Sequence, residues 1–253
     1  LADVNHFHAA GGIGYMIGEL LNAGLLHDDT LTIMGRGLGE YTKEPKLTDD
    51  GLEWVDGTNV SLNDKILRTV KEPFQATGGL SAMRGNLGSG VMKVSAVAVE
   101  HQTLTAPVRV FQEQQQVKDA FRNGEFTQDT VIVVRFQGPK SNGMPELHGL
   151  TPVLSILLGR GIKVALVTDG RMSGASGKVP SAIHVSPEAA DGGPLACLRD
   201  GDIVTGDGQT GVLNAEAETI FDREPVVADL IHNKTGIGRE LFEVCRKTVA
   251  SSE

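Results

Sequence analysis

The chain has 253 residues, with Lys+Arg 23 against Asp+Glu 32 for a formal net charge of −9, 32 glycines, 4% aromatic residues and two cysteines. An acidic balance with no basic run argues against nucleic acid and anionic membrane as partners, and no apolar run reaches the roughly 18 residues that a transmembrane helix needs. Cys197 and Cys245 are too few and too far apart to build a zinc or iron–sulfur site by themselves, and read as reduced thiols of a cytoplasmic protein.

In chain order, a polar start with Asp3, Asn5, His6 and His8 leads into Ala-Ala-Gly-Gly and then IGYMIGELLNAGLL. The latter places Ile13, Ile17, Leu20 and Leu21 on one helical face. At i, i+2 the two histidines share one side of a strand, as metal ligands or as surface residues without a third ligand in view. Thr30 to Thr42 reads as a short strand and a glycine turn, and Lys43 to Val60 as loop or a weak hairpin. Ser61-Leu-Asn-Asp64 resembles a capping box opening a helix from Leu62 to Val70. Pro73 and Gly78-Gly79 mark a boundary.

Beyond Gly79 the pattern turns to short strands. Val91 to Val99, Val108 to Phe111 and Thr130 to Phe136 (TVIVVRF) are β-like. Gln112 to Asn123 reads as a helix with Val117, Ala120 and Phe121 on one face. Thr151-Pro152 suits the N-cap and first position of a helix burying Val153, Leu154, Ile156 and Leu157. Lys163 to Val167 (KVALV) is a buried-strand pattern. Ala182 to Val185, Asp202 to Thr205 and Gly211 to Ala215 are further strands, and Asn233 to Cys245 a last helix. Many short strands around few helices suggest a β-rich barrel or sandwich, not a doubly wound sheet. GRGLG and GNLGSG lack the Lys-Ser/Thr of a phosphate-binding P-loop.

The KVALV strand empties into Thr168-Asp169-Gly170-Arg171-Met172-Ser173-Gly174-Ala175-Ser176-Gly177-Lys178. Such a loop presents hydroxyls and bare N–H donors at a sheet edge, where carboxylates and phosphates are held; a plain glycine-rich connection is the alternative. Ser173 stands between Met172 and Gly174 with little cover, and Arg171 and Lys178 are placed to hold an anion nearby. Ser186-Pro-Glu-Ala-Ala190 is most simply a turn capping a short helix.

TDGRMSGASG, with PSAIHVSPEAADGGPLACLRDGD after it, closely resembles the C-terminal signature of the dihydroxy-acid and 6-phosphogluconate dehydratases. DVNHFHAAGG and FQGPKSNGMPEL are more similar to the phosphogluconate branch. The resemblance runs over nearly the whole chain. It implies an α/β (α+β) protein: residues 1–75 as the tail of an N-terminal α/β domain, and 76–253 as a β-rich, barrel-like swivelling domain with flanking helices. Family members are about twice as long, so the chain, which has no initiator Met, is expected to be the C-terminal part of a cytoplasmic, homodimeric enzyme.

The activity implied is dehydration of a phosphorylated sugar acid, 6-phosphogluconate, to its 2-keto-3-deoxy acid. A related sugar-acid or dihydroxy-acid dehydration is the close alternative, and a non-catalytic binding module is a reading from another class. Such dehydration needs a base for the proton beside the carboxylate and a Lewis acid for the departing hydroxyl. The resemblance assigns the base to Ser173 and the Lewis acid to an iron–sulfur cluster whose cysteines lie upstream, so that the isolated chain is expected to be inactive. A serine serves as base only where N–H donors, such as those of Gly174 to Gly177, or a metal stabilise its alkoxide. Asp169 and Arg171 are read as loop anchors and substrate-anion contacts, and Lys140 and Lys178 as carboxylate or phosphate contacts or as surface charges. The Mg²⁺-binding glutamate of the dihydroxy-acid branch is matched to Gln137, whose neutral amide is a weaker ligand than a carboxylate. That argues against Mg²⁺ there and for a hydrogen bond to a substrate hydroxyl. Glu146 is the substitute ligand, or else a rim or capping residue.

Overall fold

The computed structural model describes residues 2–173, 178–250 and 252. By its internal contacts the chain divides into two compact units, Leu1–Thr77 and Gly78–Glu253.

The first unit opens with helix α1 (Val4–Ala9), capped by Asp3, whose Oδ1 accepts the N–H groups of Asn5 and His6 at 2.9 and 3.1 Å. His6 Nδ1 lies 2.7 Å from the same oxygen. The strand expected for His6 and His8 is therefore a helix, in which positions i and i+2 diverge by about 200° around the axis, so the pair shares no face. Helix α2 (Gly12–Asn22) follows, then the paired stubs β1 (Leu31–Thr32) and β2 (Gly35–Arg36). A hairpin comes next, β3 (Lys43–Thr48) and β4 (Gly51–Asp56), joined by Asp49-Asp50. No helix forms over Leu62 to Val70. Ser61 Oγ accepts from Asn63 N–H at 3.2 Å and donates to Leu67 O at 2.7 Å, so the hydroxyl closes a turn instead of starting a helix. Ala10 and Tyr15 are the buried apolar side chains among the unit's described residues, while Leu31, Ile33, Leu47 and Trp54 are exposed.

In the second unit, eight strands of the described residues close a barrel. They are β5 (Leu80–Gly85), β6 (Gly88–Lys93), β7 (Thr103–Phe111), β8 (Thr130–Val134), β9 (Val164–Thr168), β10 (Ser181–Ser186), β11 (Ile203–Asp207) and β12 (Val212–Ala215). Around the barrel the order is β10-β6-β5-β12-β11-β7-β8-β9, with β9 closing on β10. Strands β7, β8, β9 and β10 run parallel; α3 (Gln114–Arg122) joins β7 to β8, and α4 (Thr151–Gly159) joins β8 to β9. Pro107, with no N–H for a ladder, stands where β7 changes neighbours. Thr103 to Pro107 pair with β11, and Val108 to Phe111 with β8.

The central strands β8 and β9 are buried throughout and largely apolar because both faces are covered. Val131, Val133, Ala165 and Val167 belong to the barrel interior with Met83, Met92 and Leu213. Ile132, Val134, Val164 and Leu166 face outward under Val117 of α3 and Leu154 and Leu157 of α4. Ile156, expected in that core, is exposed, and α4 begins at Thr151 with Leu150 as its cap, one residue earlier than Thr151-Pro152 suggests. Strand β6 stops at Lys93, short of the expected Val99, because Gln102 Nε2 ties the carbonyls of Val94 and Val97 into a turn. The last helix, α5, spans only Glu243–Thr248; Gly236 and Gly238, at φ +112° and +80°, interrupt the expected run.

Candidate active site

The parallel strands deliver two loops to one end of the barrel: residues 135–150 after β8, and, after β9, a loop described over residues 169–173 and 178–180. Asp169, at the end of β9, is fully buried. Its Oδ1 accepts the N–H of Gln137 at 2.8 Å, and its Oδ2 those of Phe136 and Ala189, both at 3.0 Å. One carboxylate thus ties the exits of β8 and β9 to the turn after β10. Burial pushes its pKa up to about 6, against the three N–H donors that favour the charged form. Asp169 has no exposed surface, so the structure gives it an anchor's place, not a substrate contact.

Glu188 makes the second tie, which the sequence reading treated as part of a plain turn. It is fully buried and accepts Lys140 N–H at 2.8 Å, Ser141 N–H at 3.1 Å and Ser141 Oγ–H at 2.9 Å. Gly138 permits the approach, since a Cβ there would collide with the Glu188 carboxylate. Lys140 Nζ meets Asp191 Oδ2 at 2.6 Å in a partly exposed pair. A third buried support is Arg135, whose Nη1 donates to the carbonyls of Leu195, Ala196 and Leu198 at 2.9 to 3.1 Å.

Beyond this scaffold the loop turns outward. Met172 is buried and pins it, whereas Arg171 and Ser173 on either side are exposed. Glu146 Oε1 accepts the Ser173 N–H at 2.7 Å and the His148 N–H at 3.0 Å. Arg171 donates from Nε to Met144 O at 2.7 Å, and its Nη1 lies 3.8 Å from Glu146 Oε2. A backbone bridge pairs Glu146 with Arg171 directly. Ser173, Arg171 and Glu146 therefore form one cluster, with Arg171 and Ser173 exposed and Glu146 partly buried. Lys178 is exposed farther along the loop; Gly174, and with it the N–H groups of 174–177, lie outside the described residues.

Of the two metal candidates, the structure places Glu146 against Ser173 and takes Gln137 elsewhere. Gln137 is buried; its Nε2 donates to the carbonyls of Gln112 and Phe136, at 2.5 and 3.1 Å, and its Oε1 accepts from Asn142 Nδ2 at 3.1 Å. With oxygen and nitrogen both engaged inside the fold, the amide is a loop anchor, and the substrate contact expected of it is not presented.

Cys197 is buried in the barrel core and Cys245 is exposed on α5. Among the described residues no group of three or more His, Cys, Asp or Glu is placed to hold a metal ion. No helix of the described residues is long and apolar enough to cross a membrane.

Residues 65–253 match the family described as Dihydroxy-acid/6-phosphogluconate dehydratase C-terminal. The phosphogluconate dehydratase of Pseudomonas aeruginosa is 57% identical to this chain, covering 100% of it and 42% of the relative. That of Escherichia coli (strain K12) is 53% identical with the same coverage. A dihydroxy-acid dehydratase of Caldanaerobacter subterraneus is 38% identical over 79% of the chain and 34% of the relative. The chain thus spans about two fifths of the length of the curated relatives named phosphogluconate dehydratase. With a barrel fold, a serine loop and a family match covering most of its length, the chain belongs to the dihydroxy-acid/6-phosphogluconate dehydratase family.

Proposed function

We propose that this chain is the C-terminal part of a hydro-lyase that converts 6-phospho-D-gluconate to 2-keto-3-deoxy-6-phosphogluconate, a step of the Entner–Doudoroff pathway. The observation that carries the choice of substrate is the contrast in relatives: 53 to 57% identity over the whole chain to proteins named phosphogluconate dehydratase, against 38% over 79% of it to a dihydroxy-acid dehydratase.

In this reading Ser173 takes the C2 proton, the C3–O bond breaks with loss of hydroxide, and the resulting enol tautomerises to the 2-keto acid, so that one water leaves overall. Glu146 fixes the serine's backbone through its N–H. It is also the carboxylate we assign to a divalent cation at the site, in place of Gln137. Arg171 supplies positive charge for the substrate carboxylate, with Lys178 farther along the same loop. The acid that carries off the C3 hydroxyl, an iron–sulfur cluster in the family, takes its ligands from outside this chain, in keeping with the separate placing of Cys197 and Cys245. The whole enzyme is read as a cytoplasmic homodimer.

The test is 2-keto acid formation by the full-length protein, prepared without oxygen, on 6-phosphogluconate and on a branched dihydroxy acid. Turnover preferring the phosphorylated acid is expected; preference for the dihydroxy acid would replace this reading.

A further inference from the structure

On the outer face of β5, β6 and β10 lies a cavity of about 410 Å³ that the chemistry above does not use. Arg84, Ser89, His184, Ser186 and Ser252 contribute its polar side chains, and no carboxylate is among its described lining residues, in a chain with 32 acidic residues. By contrast, the cavity near Gln137 mixes Arg239 and His232 with Glu113 and Asp229. Arg84 projects from an exposed position, and its guanidinium makes no ion pair or hydrogen bond among the described residues.

His184 is there because of a backbone irregularity. Between Ile183 and Ser186 strand β10 advances three residues while its partner β6 advances two, from Val91 to Ser89. The extra residue makes a bulge, a feature that re-aims side chains beside functional sites. His184 occupies it at φ +56°, a left-handed conformation that few non-glycine residues adopt. Its N–H donates to Gly170 O at 2.9 Å, which fastens the bulge to the loop carrying Ser173. From Gly170 to Ser173 is three residues, so the chain keeps Ser173 within roughly 10 Å of this attachment. The imidazole is partly buried, and burial together with the nearby Arg171 cation lowers its pKa. Arg84 is the cationic side chain of the cavity's lining, and the His184 imidazole is among its other polar groups.

We propose that Arg84 and His184 form the subsite for the phosphate end of the substrate, at the far end of the molecule from Ser173. This rests on the reading of the chain as part of a sugar-acid phosphate dehydratase. A guanidinium with neighbouring N–H and O–H donors is the donor set a phosphate monoester dianion requires. The bulge sets the imidazole at a fixed offset from the serine loop.

In the full-length enzyme, Arg84→Gln should raise the KM for 6-phosphogluconate by roughly 10- to 100-fold, the loss of one charge-assisted contact, with kcat changed far less. The inhibition constant of inorganic phosphate should rise by the same factor. Arg84→Lys should recover part of both, and His184→Asn, which tolerates the left-handed backbone, should shift both in the same direction by less. KM and phosphate inhibition equal to wild type in Arg84→Gln and His184→Asn would overturn the subsite. Titration of inorganic phosphate into the same full-length protein, followed by ³¹P line width, is independent of turnover. Broadening that Arg84→Gln removes supports the subsite even where 6-phosphogluconate is not turned over and the functional reading fails; wild-type protein that gives none overturns it.

Discussion

Asp169 and Ser173 are four residues apart on one loop, yet their surroundings are opposite. Asp169 is fully buried and accepts three backbone N–H groups from separate parts of the barrel end. Ser173 is exposed and is held through its backbone by Glu146, a residue of the neighbouring loop. The difference teaches that the barrel keeps its strongest internal ties just short of the reactive group. Rigidity is built at Asp169 and Glu188, and accessibility begins at Arg171.

Replacing the two residues in turn should separate these roles. In the full-length enzyme Ser173→Ala should lower turnover by about 10²–10⁴, the range for loss of a proton-transfer group, with substrate affinity within about tenfold and the unfolding midpoint of wild type. Turnover near that of the parent would return the loop to a plain connection. Asp169→Ala should do the reverse to the fold. Three buried N–H groups lose their acceptor, for a loss of about 3 kcal/mol or more in urea unfolding; a loss below about 1 kcal/mol would erase the distinction drawn here.

Glu188→Gln keeps one of the two acceptor oxygens and should cost less, about 1 to 2 kcal/mol, by the same measurement. The pH dependence sharpens the Asp169 side further. Because its folded pKa is raised to about 6, the folded chain holds this proton more tightly than the unfolded chain does. The stabilisation from this group is complete below about pH 4 and declines as the pH rises to about 6. The stability gap between wild type and Asp169→Asn should therefore narrow across that window, and a gap that widens would show the carboxylate to be charged throughout. The smallest effect belongs to Lys140→Ala. Its partly exposed pair with Asp191 should contribute no more than about 1 kcal/mol, so a larger loss would move Lys140 into the scaffold.

Sequence reasoning reached the strands and helices whose patterns are local. The runs at Thr130 and Val164 are buried at every position because each strand is covered by the barrel interior on one face and by helices on the other. The serine loop was visible as a strand ending in small polar residues. What escaped was long-range. Barrel closure depends on the parallel contact of β5 with β12, Arg84 opposite Val212, for which no local pattern exists. Glu188 gave no signal because its partners, the N–H groups of Lys140 and Ser141, lie 48 and 47 positions away. Ser61 misled because a hydroxyl that caps a helix closes a turn equally well. The amide of Gln137 was read by its chemistry alone, and its neighbours Gln112 and Asn142 decide what it does.

The closed sheet has a consequence for handling the protein. Among the described residues the barrel leaves no strand edge unpaired, so the second unit offers no edge strand for pairing with a second molecule. The β3–β4 hairpin has both outer edges unpaired and carries exposed Leu47, Leu52 and Trp54. Turbidity or fibrous growth in concentrated solutions of this chain should begin at residues 43–56, and a lysine introduced at Leu52 should suppress it without touching the barrel.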